Sequence, residues 1–232
     1  MKLLAELQNV SRYYQQPGTS NQNLVLDRVY LSIKENETIA IVGPSGSGKS
    51  TLLNLLGTLD RPSSGKIILD GKDTGEMDDY QLADIRTHFI GHVFQLHYLL
   101  PQLTLLENVL LPILARRDKP NQKDSLKRAL QLIERVGMTD HIHQFPYSMS
   151  VGECQRAAVV RALMNEPRLL LADEPTGSLD AENADLLGKL LVELNREQQI
   201  ALVVVTHSTD IARLMQTKYK LSSGKLLRVD NL

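Results

Sequence analysis

Apolar residues in this chain switch between two spacings. Short alternating or continuous apolar runs over Leu7 to Tyr14, Val29 to Ile33, Thr38 to Val42 and Lys66 to Leu69 predict strands, with Gly71-Lys72-Asp73 as a turn. Leu126, Leu130, Ile133 and Val136 recur at helical spacing and predict an amphipathic helix ended by Gly137. Leu186, Leu187, Leu190, Leu191 and Leu194 mark another helix, packed beneath a strand from Leu202 to Val205. Arg168-Leu169-Leu170-Leu171-Ala172 reads as a further apolar strand. An N-terminal β-rich portion is thus followed by alternating strands and helices, with roughly residues 96 to 163 as a mostly helical insertion. The order predicts an α/β fold. There is no internal repeat or low-complexity tract, and Gln15 to Asn23, with Pro17 and Gly18, reads as a mobile loop.

Length and composition narrow the classes. With 232 residues, 42% of them hydrophobic, the chain is expected to bury one substantial core, as a single domain over 1–232. No run approaches the roughly 18 apolar residues of a membrane span, and Met1-Lys2-Leu3-Leu4-Ala5-Glu6 is charged too early for a signal peptide. A formal charge of −1 gives no general basic field, which argues against nucleic acid as a partner. One cysteine precludes an internal disulfide, and Cys154 reads as a cytosolic thiol. His88, His92 and His97, like His141 and His143, fall near one another. They are not expected to form a zinc site: His88 and His92 sit in a strand-like stretch, on one face but far apart, and no cysteine pair completes a ligand set.

The chemistry begins where the strand Thr38 to Val42 ends. Gly43-Pro44-Ser45-Gly46-Ser47-Gly48-Lys49-Ser50-Thr51 is a complete phosphate-binding loop (Walker A), so the chain is expected to bind a nucleoside triphosphate. The glycines let successive backbone N–H groups face phosphate oxygens, Lys49 adds a positive charge, and the Ser50 hydroxyl can ligate Mg²⁺. A helix starting near Ser50 would aim its positive end at the same phosphates. In the second half, the strand ending at Ala172 delivers Asp173 and Glu174, followed by Pro175-Thr176-Gly177-Ser178-Leu179-Asp180. Asp173 suits the metal and Glu174 the attacking water. The β-branched run Val203-Val204-Val205-Thr206 delivers His207, which could bring a ring nitrogen near a γ-phosphate.

Between these motifs, Ser148-Met149-Ser150-Val151-Gly152-Glu153-Cys154-Gln155-Arg156 opens a helix that runs to about Asn165. This segment resembles the signature sequence of the ATP-binding cassette (ABC) ATPases, L-S-G-G-[QE]. Met149 stands in the leucine position and Val151 in that of the first glycine, so Ser150 and Gly152 are the positions carried over. The resemblance implies a phosphate-loop ABC ATPase fold with an N-terminal antiparallel β subdomain and an inserted helical subdomain, approximately 96–163. It also implies ATP and Mg²⁺ as cofactors, and a head-to-tail dimer in which Ser150 and Gly152 of one copy meet the nucleotide of the other. Further positions match one by one. Tyr14, with Tyr13 as its near alternative, stands where the family stacks an aromatic on adenine. Gln95, after His92-Val93-Phe94, matches the glutamine that reaches Mg²⁺ and water, and Asp180 falls among the nucleotide-site residues.

Leu96 to Val109 is apolar and adjoins Gln95. In the family this region receives a short helix of a membrane subunit; otherwise its leucines pack within the helical subdomain. Gly57-Thr58-Leu59-Asp60-Arg61-Pro62-Ser63-Ser64-Gly65, Phe94 to Pro101 and Asn108-Val109-Leu110-Leu111-Pro112 are similar to the lipoprotein-release and macrolide-export branch, which includes the cell-division ATPase that partners an FtsX-type permease. That likeness implies an integral membrane partner with few helices and a place on the inner face of the cell membrane. It also implies cargo chosen by the permease, with no direct contact between this chain and a small-molecule cargo. Export or release of a lipoprotein, drug or peptide is one outcome, and regulation of a permease without transport is the other. A coiled-coil chromosome-maintenance ATPase would need a longer insertion, and a ribosome-associated factor would need two cassettes.

Overall fold

Thr38–Val42 (β3), Leu169–Asp173 (β7) and Ala201–Thr206 (β8) are apolar at nearly every position because both faces of the sheet they form are covered. The computed structural model describes residues 2–15 and 22–230. Most of the expected Gln15 to Asn23 loop, residues 16–21, lies outside the described residues.

Two sheets make the β layers. Leu3–Gln15 (β1), Gln22–Lys34 (β2), Ser64–Leu69 (β4) and Lys72–Asp73 (β5) form an antiparallel sheet in the order β2-β1-β4-β5. With Ile90–Val93 (β6), Thr217–Ser222 (β9) and Lys225–Val229 (β10), the other strands form a sheet in the order β10-β9-β3-β8-β7-β6. It is parallel except for the β9–β10 hairpin. Successive residues of a strand point to opposite faces, and the core divides accordingly. Ile39, Ile41, Leu169, Leu171, Val203 and Val205 pack toward the antiparallel sheet and the helix Lys49–Leu56 (α1). Ala40, Val42, Leu170, Ala172, Leu202 and Val204 pack toward the opposite helical layer.

Asp79–His88 (α2) precedes β6. Leu105–Leu114 (α3), Gln122–Arg135 (α4) and Val151–Leu163 (α5) lie between β6 and β7, followed by Ala181–Gln198 (α6) and Thr209–Arg213 (α7). The mixed α/β architecture, with its antiparallel sheet and helical subdomain, is the one expected from the sequence.

Several local expectations need correction. β1 and β2 extend well beyond Leu7 to Tyr14 and Val29 to Ile33, because the two strands pair along thirteen-residue lengths. Lys72 and Asp73 are not turn but a short strand, held by pairing with Leu69 and Ile68. The buried stripe of α4 runs through Ser125, Ala129, Leu132 and Ile133, whereas Leu126 is 41% exposed and Leu130 38%. Leu186 is likewise exposed on α6, while Leu187, Leu191 and Leu194 are buried.

His88 and His92 do not share a strand, since His88 closes α2 and His92 lies within β6. Among the described residues, no three His, Cys, Asp or Glu side chains gather as a metal-ligand set.

His92 stacks on Phe94 at 5.5 Å and abuts Gly57, where a Cβ would come within 2.1 Å of its ring. Burial, reinforced by the nearby Arg86 charge, pushes its imidazole down to about 4 from an ordinary 6.5. Above the ordinary value the ring is neutral in both the folded and unfolded chain, so it contributes no pH dependence there. As pH falls from 6.5 toward 4, only the unfolded chain takes the proton, and stability drops by about 1.4 kcal/mol per pH unit. Urea unfolding at pH 7 and pH 5 is expected to show a loss of about 2 kcal/mol that His92→Phe abolishes. An unchanged slope in the variant would assign the acid sensitivity to other groups.

Candidate active site

The register of the parallel sheet assembles the site. Val42 pairs with Thr206, and Asp173 with Val205, so the C-terminal ends of β3, β7 and β8 lie level and side by side. Ligands of open α/β sheets bind at this edge, and here it carries Gly43, Glu174 and His207.

After β3 the chain turns through Gly46 (φ 76°) and Gly48 (φ 99°), left-handed conformations that favour glycine, into α1. Gly48 precedes the first residue of α1, and no side chain caps that helix start. Its first N–H groups therefore lack a side-chain acceptor. Lys49 is 8% exposed, and its ammonium donates to the carbonyls of Gly43 (2.9 Å) and Pro44 (3.1 Å). The Ser47 hydroxyl is buried without a partner.

Asp173 and Glu174 would point to opposite faces if the strand continued. Instead Glu174 adopts φ 44°, with its N–H donating to Val205 O and its carbonyl accepting from Gly177 N. The kink keeps both carboxylates near the phosphate loop. Glu174 Oε1 lies 3.8 Å from Lys49 Nζ, and Oε2 lies 2.9 Å from His207 Nδ1 while also accepting from the His207 backbone N–H at 3.2 Å. Burial pushes the Asp173 carboxyl above its ordinary range, with the Ser50 hydroxyl pulling the other way. Asp173 Oδ1 is buried with no hydrogen-bond partner.

Val25, Ser45, Gly46, Gly48, Lys49, Ser50, Thr51, Gln95, Glu174 and His207 line a cavity of about 590 Å³. Left-handed glycines, a buried ammonium and an uncapped helix start suit a polyphosphate. The unpartnered Asp173 oxygen beside Ser50, with the Gln95 amide on the cavity wall, suits a hard divalent cation.

Other expected site residues stand outside this lining. Gly43 and Pro44 take part through their carbonyls on Lys49. Tyr14 donates its hydroxyl to Asp60 at 2.8 Å, and the Arg12 guanidinium lies over its ring at 4.5 Å. Ser150 caps α5: its hydroxyl accepts from Glu153 N–H and donates to the Glu153 carboxylate at 2.9 Å. Asp180 caps α6 and accepts from Asn183, whose backbone and side-chain amides hold its carboxyl below the usual range. A Cβ on Gly152 would lie 3.6 Å from Asn183 Oδ1, so the starts of α5 and α6 are neighbours. Neither lines the cavity of its own chain.

Sequence reasoning missed Val25 on the cavity wall, and three polar side chains that hold the segment from Phe94 to Leu100 around Gln95. Gln155 donates to Phe94 O, Arg161 to His97 O and Tyr98 O, and Asn108 both accepts from Leu100 N–H and donates to Leu100 O. No local pattern announces these contacts. Of the apolar residues in this segment, Leu99, Leu105 and Val109 belong to the core, while Leu96 (60%), Tyr98 and Leu100 are exposed.

Fold and site together define a phosphate-loop nucleotide-binding protein with its carboxylates at a parallel-sheet edge. The sequence pattern of the ABC transporter family matches residues 26–177, and the chain belongs to that family. It is the ATP-binding cassette ATPase of a transporter and uses ATP with Mg²⁺. Two solved structures of MJ0796, a bacterial ABC transporter cassette, are similar over 99% of this chain and 100% of theirs, each with a TM-score of 0.88. One is a dimer in a post-hydrolysis state with ADP and Pi, at 37% identity, and the other a dimer at 38%. CbiO1 from Clostridium perfringens, part of the transporter complex cbiONQ, is similar over 98% of this chain and 88% of its own, with 26% identity and a TM-score of 0.86.

Proposed function

We propose that this chain hydrolyses ATP as a head-to-tail dimer on the inner face of the cell membrane, driving a few-helix permease of the lipoprotein-release and macrolide-export type. One observation carries the dimer: the cavity holds the phosphate loop, Gln95, Glu174 and His207, while Ser150 and Gly152 stand outside it. A second copy can supply a helix start with a serine hydroxyl to the open side of the nucleotide. The dimeric MJ0796 structures are consistent with such pairing.

Within the site, Glu174 accepts the proton of the attacking water, and His207 holds that carboxylate in place through Nδ1 and its backbone N–H. Lys49 leaves the loop carbonyls for the phosphates, and the backbone from Gly43 through Thr51 cradles them. Asp173, Ser50 and Gln95 would hold Mg²⁺, which neutralises charge on the phosphates when bound. Tyr14 stacks on adenine once its ring faces the base, and Asp180 adjoins the partner's nucleotide from the start of α6. The chain acts as one cassette domain, with residues 96–163 as the unit that meets the permease. Exposed Leu96, Tyr98 and Leu100 form the apolar contact for that subunit. Among the described residues, no helix is long and apolar enough to cross a membrane.

Copurification from native membranes in mild detergent tests this reading. A bound integral protein with about four membrane helices and a large extracytoplasmic domain is expected, in keeping with the mode of coupling proposed here. A many-helix permease, or none, would overturn the branch while leaving the ATPase site intact. An FtsX-type partner without cargo would make the chain a regulator.

A further inference from the structure

The loop that carries Gln95 is held by the helix that carries the signature. Gln155, one turn into α5, has no solvent exposure, and its Nε2 donates to the carbonyl of Phe94 at 2.9 Å. That carbonyl belongs to the peptide whose nitrogen is the Gln95 N–H. Farther along the same helix, Arg161 donates to Tyr98 O at 2.7 Å and His97 O at 2.6 Å. Asn108 of α3 closes the segment at Leu100. In β6, by contrast, Val93 is the last residue paired to β7, so the sheet ceases to guide the chain two residues before Gln95.

The geometry assigns Gln155 the role of a positioning residue for Gln95. Its bond to the Phe94–Gln95 peptide makes the placement of the Gln95 amide in the cavity depend on the orientation of α5, whose first turn presents Ser150 to the partner's nucleotide. This rests on the reading of Gln95 given above. A buried amide at this position is costly unless bonded, and its Oε1 has no partner, so the single bond through Nε2 is its whole polar function. Arg161 fixes the loop farther out, at the exposed apolar residues, and does not reach the Gln95 peptide.

The test compares Gln155→Met, which keeps an unbranched side chain of similar length but removes the donor, with Gln95→Ala and with the double variant. The readout is steady-state ATP hydrolysis by the purified full chain as a function of Mg²⁺ concentration. Gln155→Met is expected to lower kcat about tenfold and raise the Mg²⁺ concentration for half-maximal rate several-fold, leaving Mg²⁺-free ATP binding within about twofold. In the Gln95→Ala background it should cost less than about twofold more, because its effect passes through Gln95. Losses that multiply in the double variant would overturn the positioning role, as would an impaired Gln95→Ala beside an unimpaired Gln155→Met. A Gln95→Ala variant with normal rate and Mg²⁺ dependence would instead overturn the reading of Gln95, and this inference with it.

Gln155→Glu gives a second check if the Met variant folds poorly. Its protonated acid can donate to the Phe94 carbonyl and its carboxylate cannot, so activity relative to the unaltered chain should fall as pH rises. A ratio that rises with pH, the carboxylate form being the more active, would overturn the proposal.

Discussion

A chain carrying Glu174→Gln is expected to bind ATP and turn it over about a hundred- to ten-thousandfold more slowly than the unaltered protein. The amide matches the carboxylate in shape and keeps an oxygen to accept the His207 backbone N–H, now at 3.2 Å from Oε2, so the site geometry survives. What it lacks is the capacity to take a proton from water. It also removes a negative charge 3.8 Å from Lys49, freeing that ammonium for the phosphates. Binding should therefore be equal or tighter, and the ATP-bound pair should accumulate. Single-turnover hydrolysis gives the rate, and light scattering during size-exclusion chromatography gives the mass. A dimer with ATP and a monomer with ADP are expected. A variant that stays monomeric at saturating ATP would show that the Val151-containing signature does not close the pair by itself.

Gly43→Ala should weaken nucleotide binding and destabilise the fold at once. The reason is crowding, since Gly43 has no need of a left-handed backbone. A Cβ there would lie 2.3 Å from the carbonyl oxygen of Leu221 in β9 and 2.9 Å from the Ser47 hydroxyl. Ser47 can rotate, but Leu221 is strand backbone within the sheet. The phosphate loop must therefore lift from β9, carrying with it the carbonyl that now holds Lys49. Overpacking of this kind costs about 1–3 kcal/mol. Thermal unfolding should show a midpoint lowered by several degrees, and ATP titration a loss of affinity of at least about tenfold. A variant of normal stability and affinity would mean that the loop tolerates displacement from β9.

What could be read from the sequence was whatever is local along the chain. The phosphate loop, the Asp173-Glu174 pair and His207 each sit directly after a strongly apolar strand, so motif and strand announce each other. Those strands were legible because a buried parallel sheet needs side chains that are apolar on both faces. The buried face of α4 was not, because periodicity counts hydrophobicity and ignores available space. Ser125 can be buried there since its hydroxyl donates to Asn121 O, while Leu126 and Leu130 lie toward the margin. Gln155 was equally hidden. A glutamine within a helix reads as surface, and its partner Phe94 is 61 residues away. Tyr14 matches by its ring, but what its ring and hydroxyl meet is set by Arg12 and by Asp60 in the segment between α1 and β4.

The left-handed backbone at Glu174 bears on how this protein can be engineered. A glutamate at φ 44° sits about 1–2 kcal/mol above a relaxed residue, and a glycine there would remove that burden. A search for heat-resistant variants scored on folding alone would therefore be drawn to this position, and with Glu174 as the proposed base each success would yield a sturdier protein with slowed turnover. Screens of this cassette must carry an activity gate, because a position that folding alone would favour changing is one the proposed mechanism uses.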